Sequence, residues 1–286
     1  MDQTKILIIG KDGQLGKQLV KYYPDAKAVD SNTLDITNQK SVLGFDYSNI
    51  EIVINVAAYT KVDDAESSEG RIKAWLINAG GVSNLVNACL KNDLTLVHIS
   101  SDYVFDGTKD SHLEDEPFSP LGVYGATKAA GDITLRTLSK AYLIRTSWVI
   151  GDGSNFVRTM LDLARKGVDP LVVSDQVGRL TFTSELVRAI DYLLTRSAKY
   201  GTYNVSNSGD PVSWATITRK IFSLSGFNNV VRDVSTREYF MNKQNVAPRP
   251  LNSVLNLTKL HQLGFVSRTW QEDLKIYLKL ELNHKS

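Results

Sequence analysis

Short runs of β-branched and aliphatic residues alternate with longer amphipathic stretches through the first half of the chain. The runs Ile6 to Ile9, Ala26 to Asp30, Ile52 to Val56, Thr95 to Ile99 and Tyr142 to Ile144 are nearly continuous rather than alternating. Continuous apolar strands are those covered on both faces, and the helix-length segments between them supply the cover. Strand–helix–strand units of this kind build a parallel sheet, so the pattern predicts a doubly wound α/β fold of Rossmann type. Past Gly151 the rhythm loosens. It predicts a helix from Phe156 to Lys166, a strand from Leu171 to Ser174, a helix from Ser184 to Thr195 and a strand from Thr202 to Val205. A last helix, Trp214 to Leu224, has Ser213 as its amino-terminal cap and Gly226 as its stop.

Composition narrows the class by exclusion. Over 286 residues, hydrophobic positions make up 42% and charged ones 22%, the balance of an ordinary globular protein rather than a disordered or fibrous one. The formal net charge is +2, with Lys and Arg interspersed among Asp and Glu, which argues against a nucleic-acid or membrane-binding surface. Cys89 is the single cysteine and lies in an apolar helical pattern, so an internal disulfide is excluded and a buried thiol is expected. Met1 to Thr4 lead directly into the first strand without the features of a secretory signal. No apolar run approaches bilayer length, and a cytoplasmic protein is expected.

The first strand delivers the chain into Gly10-Lys-Asp-Gly13-Gln14-Leu15-Gly16 and then into a helix. Glycines at this spacing allow a tight turn, close backbone approach to a pyrophosphate and close helix–strand packing. The helix's free N–H groups add a partial positive charge. Strand before and helix after are the context that gives such a loop its meaning as a dinucleotide site. Asp30, at the end of the second run, stands where a carboxylate reaches the adenosine ribose, which favours NADH; no Arg follows it to receive a 2′-phosphate. Residues 1–150 are therefore expected to form the dinucleotide-binding domain. Residues 151–286 are expected to form mainly a smaller substrate-binding lobe over the sheet's carboxyl edge, with some segments returning to the core.

Tyr and Lys four apart on a helix share a face, and the ammonium can then lower the phenol's pKa. The spacing occurs twice, as Tyr23/Lys27 and Tyr124/Lys128. Pro24 forces Tyr23 out of helical geometry, so the first pair is a decoy. Tyr124 follows Ser119-Pro-Leu-Gly and leads into a proline-free helix running to Leu138. Ser100-Ser101 follow the fourth strand, placing hydroxyls at its carboxyl end. In isolation such serines are loop caps. Joined in order to the glycine loop and Tyr124/Lys128, they become candidates for polarising a carbonyl.

Together with Asn55-Val-Ala-Ala-Tyr-Thr60-Lys-Val62-Asp63, Ile77-Asn78-Ala79, Ser101-Asp-Tyr-Val-Phe, Arg145-Thr-Ser-Trp148, Asp175-Gln-x-Gly178 and Arg249-Pro-x-x-Ser253, these motifs span nearly the whole chain. The sequence resembles the dTDP-4-dehydrorhamnose reductase family of extended short-chain dehydrogenases/reductases. The resemblance implies transfer of hydride from NADPH or NADH to C4 of a dTDP-linked 4-keto-6-deoxyhexose, with Tyr124, Lys128 and Ser101 as catalytic residues. It further implies cofactor contacts from Gly10, Gly13, Gln14, Leu15, Gly16, Asp30, Asp35, Ile36, Ala57, Ala58, Tyr59, Asn78, Tyr124 and Lys128. Thr60, Val62, Ser101, Tyr103 and Trp148 are implied as sugar contacts. Arg249 is expected to hold the diphosphate, since Arg offers a planar donor fork.

Four departures qualify the match. Ser101 stands where the family usually has Thr, and it keeps the hydroxyl. Asp102 is followed by Tyr103 rather than the Glu that related 4,6-dehydratases use as a base, so dehydration is not expected. Gln18 replaces a Glu that some members place at a Mg²⁺-bridged dimer contact; no metal is expected, and a homodimer stays open. Arg179-Leu180 replace a small residue and proline beside the nucleotide loop. Two other readings stand beside this one. One is a non-catalytic cofactor-binding protein like the regulatory subunit of methionine adenosyltransferase; the other is a reductase or epimerase for a different nucleotide sugar.

Overall fold

The structure is a computed structural model that describes residues 1–283. Its centre is a parallel sheet of β1 (Ile6–Ile9), β2 (Lys27–Val29), β3 (Ile52–Asn55), β4 (Thr95–Ser101), β5 (Ala141–Thr146) and β6 (Gly201–Asn204). The order across the sheet is β6-β5-β4-β3-β1-β2, with every neighbouring pair parallel. The five apolar runs of the first half thus become the first five strands. The strand expected at Thr202 to Val205 crosses back from the second half to pair with β5 as β6.

Successive residues of each strand face opposite sides, and the packing follows that alternation. Leu7, Ile9, Val53, Leu96 and Leu143 join Val82, Leu85 and Cys89 of the helix Val82–Asn92 on one side. Ile6, Ile8, Ile54, Val97 and Ile144 meet Leu15 and Leu19, from the helix Gln14–Tyr22, and Leu186 and Ile190, from the helix Thr183–Thr195, on the other. Fully burying one such aliphatic side chain is worth roughly 1.5–3 kcal/mol. That gain on both faces is why the strands read as unbroken apolar runs. Cys89 is a buried thiol in this packing, and burial pushes its pKa up to about 12.

Beyond β5, residues Val157, Leu161, Ile217, Ile221, Phe222, Trp270 and Leu274 enclose a second core. The helices Phe156–Arg165 and Trp214–Ser225 form as expected, the latter capped by Ser213 and ended by Gly226 at φ +74°. Three small ladders join Leu171–Val173 to Arg232–Val234, Val177–Gly178 to Val212–Ser213, and Val149–Ile150 to Thr181–Phe182. The last helix, Trp270–Asn283, was not anticipated. Its signal is the stripe Trp270, Leu274, Leu278, spaced by four and buried.

After α1 (Gln14–Tyr22), α2 (Gln39–Gly44), α3 (Ser68–Trp75) and α4 (Val82–Asn92), the helix α5 (Val123–Leu135) carries Tyr124 and Lys128 and lies close on the turn after β4 and the helical segment Leu76–Gly81. A Cβ on Gly125 would sit 2.1 Å from the Tyr103 carbonyl oxygen, and one on Gly131 would sit 2.3 Å from that of Asn78. Glycine at both positions permits this approach. Below α5, Asp132 Oδ2 accepts from Arg145 Nε of β5 at 3.2 Å, and both side chains are wholly buried. Arg145 Nη1 also donates to the Glu114 carbonyl at 2.9 Å. Removing one partner of a buried pair leaves the other charge uncompensated. Asp132→Asn is expected to cost about 3–5 kcal/mol of folding stability, read from urea denaturation; a cost near zero would show the pair to be dispensable.

Candidate active site

β1 is flanked by β2 and β3, so the strand order reverses at its carboxyl end, the place where open α/β sheets bind ligands. The glycine loop occupies that point. Gly10 has φ +94°, and a Cβ there would meet the Ala57 backbone nitrogen at 2.8 Å. A Cβ on Gly16 would lie 2.1 Å from the Gly10 carbonyl oxygen. The following helix begins at Gln14 with Gly13 as its cap residue and no side-chain cap bond. Its amino end is thus open to an anion, which fits a pyrophosphate.

Two cavities meet at this loop. One, of about 650 Å³, is lined by Gly10, Gly13, Asp30, Asp35, Ile36, Ala57 and Ala58. The other, of about 570 Å³, is lined by Gln14, Leu15, Gly16, Thr60, Val62, Ser101, Tyr103, Tyr124, Lys128 and Trp148. Asp12, Gly13, Val56 and Ala58 line both, so the sequence-predicted residues other than Tyr59, Asn78 and Arg249 fall into two adjoining chambers. The decoy pair does not assemble. Tyr23 lies past the first helix and bonds Asp191 at 3.0 Å, while Lys27 sits in β2 with its amine over Phe45.

Within the second chamber Ser101 ends β4. Its Oγ donates to Asp102 Oδ1 at 3.0 Å and accepts from the Tyr103 backbone N–H at 3.2 Å, so it caps the turn Asp102–Val104 while lining the cavity. Tyr124 packs edge-on against Tyr103, ring centres 5.4 Å apart. Burial pushes the Tyr124 phenol up to about 12; the Asp102 and Asp132 carboxylates add to this and a hydrogen bond with Ser101 opposes it. The expected lowering by Lys128 is not among these influences. The Lys128 amine donates to the Ile99 carbonyl at 2.7 Å, lies 3.4 Å from His98 Nε2, and is brought down to about 8 by its own burial, against the pull of Asp132.

Three expected contacts, Asn78, Tyr59 and Arg249, line neither chamber, and a fourth, Asp30, lines the first with its carboxylate already bonded. Asn78 Oδ1 accepts from the Tyr59 N–H at 2.8 Å, and its Nδ2 donates to the Tyr59 carbonyl and to Thr127 Oγ1, both at 3.1 Å. Asn78 therefore pins the chain after β3 rather than facing a chamber. The Tyr59 hydroxyl is turned to Asp64. Arg249, expected to meet the diphosphate, donates from Nη2 to Asp63 Oδ2 at 2.8 Å and from Nη1 to the Ala247 carbonyl at 2.6 Å, its guanidinium over Phe240. Its donor fork is already engaged by a carboxylate. Asp30, expected to reach a ribose, has Oδ1 bonded by the N–H groups of Asn32 and Thr33 and the Thr33 hydroxyl. Its Oδ2 pairs with Lys11 at 3.1 Å. Those hydrogen bonds, Thr33's first, hold it down at about 2.

Other positions carry more than expected. Gln14 Oε1 accepts from the Gly151 N–H at 2.8 Å, tying the glycine loop to the start of the second half. Asp35 caps its own turn through Thr37. Trp148 has φ +48° and stacks on Trp214 with ring centres 3.6 Å apart. Arg179, the departure beside the nucleotide loop, donates to the carbonyls of Gly209 and Leu255 and so braces two loops. Among the described residues no group of His, Cys, Asp or Glu is arranged to hold a metal ion, and no helix is long and apolar enough to cross a membrane.

A parallel sheet with a glycine loop at its switch point, and a Ser, Tyr and Lys around one chamber at its carboxyl edge, defines a short-chain dehydrogenase/reductase fold of the extended type. The chain belongs to the RmlD substrate binding domain family, which matches residues 4–282. It is 38% identical to the spore coat polysaccharide biosynthesis protein SpsK of Bacillus subtilis, over 96% of this chain and 97% of that protein. It is 37% identical to a dTDP-4-dehydrorhamnose reductase of Aggregatibacter actinomycetemcomitans, over 95% of this chain and 97% of the other. The solved dTDP-4-dehydrorhamnose reductase of Bacillus anthracis in complex with NADP superposes with a TM-score of 0.89 at 37% identity, covering 96% of this chain and 98% of that one.

Asp102 offers a pH test of the site's burial. It is fully buried, which raises its carboxyl from 3.8 to about 6, against hydrogen bonds from Ser253 and Ser101. Its folded pKa exceeds its unfolded one, so its contribution favours folding below about pH 4 and is lost as pH rises through about 6. Asp102→Asn is expected to flatten that fall in melting temperature between pH 4 and 6; an unchanged profile would assign the dependence to other groups.

Proposed function

We propose that the chain is an NAD(P)H-dependent reductase acting on the C4 keto group of a dTDP-linked 6-deoxy-4-ketohexose, converting dTDP-4-dehydro-L-rhamnose to dTDP-L-rhamnose. The observation that supports this most directly is the convergence of Tyr124, Ser101 and Lys128 on a chamber that opens onto the glycine loop. Two of the similar proteins described above, those of Aggregatibacter actinomycetemcomitans and Bacillus anthracis, are named dTDP-4-dehydrorhamnose reductases.

The Gly10, Gly13 and Gly16 loop would hold the pyrophosphate of a reduced dinucleotide, which when bound would supply the hydride for the C4 carbon. The chain's own residues manage the oxygen. Tyr124, raised by burial, is a protonated phenol at neutral pH and gives its proton to the alkoxide as that charge develops. Ser101 Oγ, by turning from Asp102, donates a hydrogen bond to the same oxygen. Lys128, one helical turn from Tyr124, faces the resulting phenolate from the same helix side and offsets its charge. Thr60, Val62, Tyr103 and Trp148 wall the sugar. A non-catalytic cofactor-binding role needs none of Ser101, Tyr124 and Lys128 together, and their joint presence favours the enzyme.

Tyr124→Phe is expected to lower kcat on the order of a hundredfold with KM little changed, followed by loss of reduced-cofactor absorbance. Near-native turnover would remove Tyr124 from the role of proton donor.

Lys11 modifies the cofactor reading. An unpaired Asp30 would repel a 2′-phosphate, but Lys11 neutralises it and offers a cation beside it. Both cofactors are then accepted. Lys11→Ala is expected to raise the KM for NADPH by about tenfold and that for NADH by much less. Equal effects on the two would place the 2′-phosphate elsewhere.

A further inference from the structure

Asn55 and His98 are cross-strand partners on β3 and β4, both wholly buried, and His98 in turn lies beside Lys128. Their hydrogen bonds leave a single consistent arrangement of protons. Asn55 Oδ1 accepts from the Ala57 N–H at 3.1 Å, which fixes the amide's orientation and leaves Nδ2 to face His98 Nδ1 at 3.0 Å. An amide N–H₂ only donates, so His98 Nδ1 must accept. Burial and the nearby Lys128 keep the imidazole neutral, and a neutral imidazole with a bare Nδ1 carries its proton on Nε2.

That Nε2–H points at Lys128 Nζ, 3.4 Å away. An ammonium has three N–H donors and no lone pair, so it would face the imidazole donor against donor. The uncharged amine can accept from His98 Nε2–H and still donate to the Ile99 carbonyl at 2.7 Å. The other charged group that acts on Lys128 is Asp132, one turn further along α5, and its carboxylate is drawn to Arg145 of β5.

We propose that Asn55 and His98 are positioning residues that set the proton state of Lys128, the amide selecting the Nε2–H tautomer and the imidazole N–H making the lysine ready to release its proton. This rests on the reading of Tyr124 as the proton donor. Once Tyr124 has become a phenolate, a proton from the Lys128 ammonium restores the phenol. The bond broken is Nζ–H and the bond formed is O–H, leaving a neutral amine that His98 Nε2–H stabilises and that solvent reprotonates. His98 touches neither the substrate nor the cofactor in this scheme; it acts through Lys128.

The test uses the whole chain and two readouts. Long-range proton–nitrogen correlation spectra of ¹⁵N-histidine-labelled protein report each tautomer, and the chain has 4 histidines to assign. The pH profile of kcat/KM then reports the alkaline limb set by Lys128. In the unmodified protein, His98 is expected to be protonated on Nε2 and bare on Nδ1 at every pH at which the protein is folded and active. Asn55→Asp keeps the shape but replaces the donor by an acceptor, so the tautomer is expected to reverse. The alkaline limb is then expected to move up by about one pH unit or more, since Nε2 now accepts from the ammonium. A bare Nε2 or an imidazolium in the unmodified protein overturns the proposal even if the variant does not fold. A limb that moves without tautomer reversal, or a reversal that leaves the limb in place, overturns it as well. The spectra do not depend on turnover, so a failed Tyr124 assignment is recognised separately, by persistence of activity in Tyr124→Phe.

Discussion

The site depends on how closely α5 can lie against the turn after β4 and the helical segment Leu76–Gly81. Gly125 and Gly131 remove the two Cβ atoms that would strike the carbonyls of Tyr103 and Asn78. Only at that separation do Tyr124 and Lys128, projecting from one helix face, reach the same chamber as Ser101 on the neighbouring strand. The buried Asp132–Arg145 pair holds the same helix to β5. A buried ion pair is a poor source of net stability, because two charges must leave water. Its geometric effect is more evident: it ties the helix to the sheet at one point while the glycines set the helix's approach to the turn after β4 and to the segment Leu76–Gly81.

The sheet and the shared placement of Tyr124 and Lys128 were legible because each rests on short-range physics. Apolar runs announce β1 to β5, buried for most of their length except at the edge strand β2, and the absence of proline separates Tyr124/Lys128 from Tyr23/Lys27, where Pro24 ends the helix. What stayed hidden is long-range pairing. Arg249 meets Asp63, which is 186 residues away in the chain, and that contact could not be read from a motif that only marks Arg249 as a cation. Arg179 looked like a change at a nucleotide loop and is a brace between two carbonyl groups. Lys11, two residues before Gly13, passed as a filler of the glycine loop until the fold set it beside Asp30.

His98 and Asn55 show a different blindness. Both lie within apolar strand runs, where a polar residue reads as an interruption, and their meaning comes from the parallel register that makes them neighbours. Their buried polar atoms are satisfied by one another and by the turn after β3, as isolation from water demands. Polar groups in such a place restrict each other's proton positions far more than surface groups do, because no solvent molecule is at hand to take either role.

Trp148 is held at φ +48°, a conformation that bulky residues rarely adopt, and its indole is sandwiched between Trp214 and the backbone at Gly178, where a Cβ would stand 2.9 Å from the ring. Such strain persists only where the surroundings over-determine it. The wall this ring forms is therefore stiff on both sides. Whatever enters the chamber meets, on that side, a fixed surface rather than one that moulds itself to each occupant.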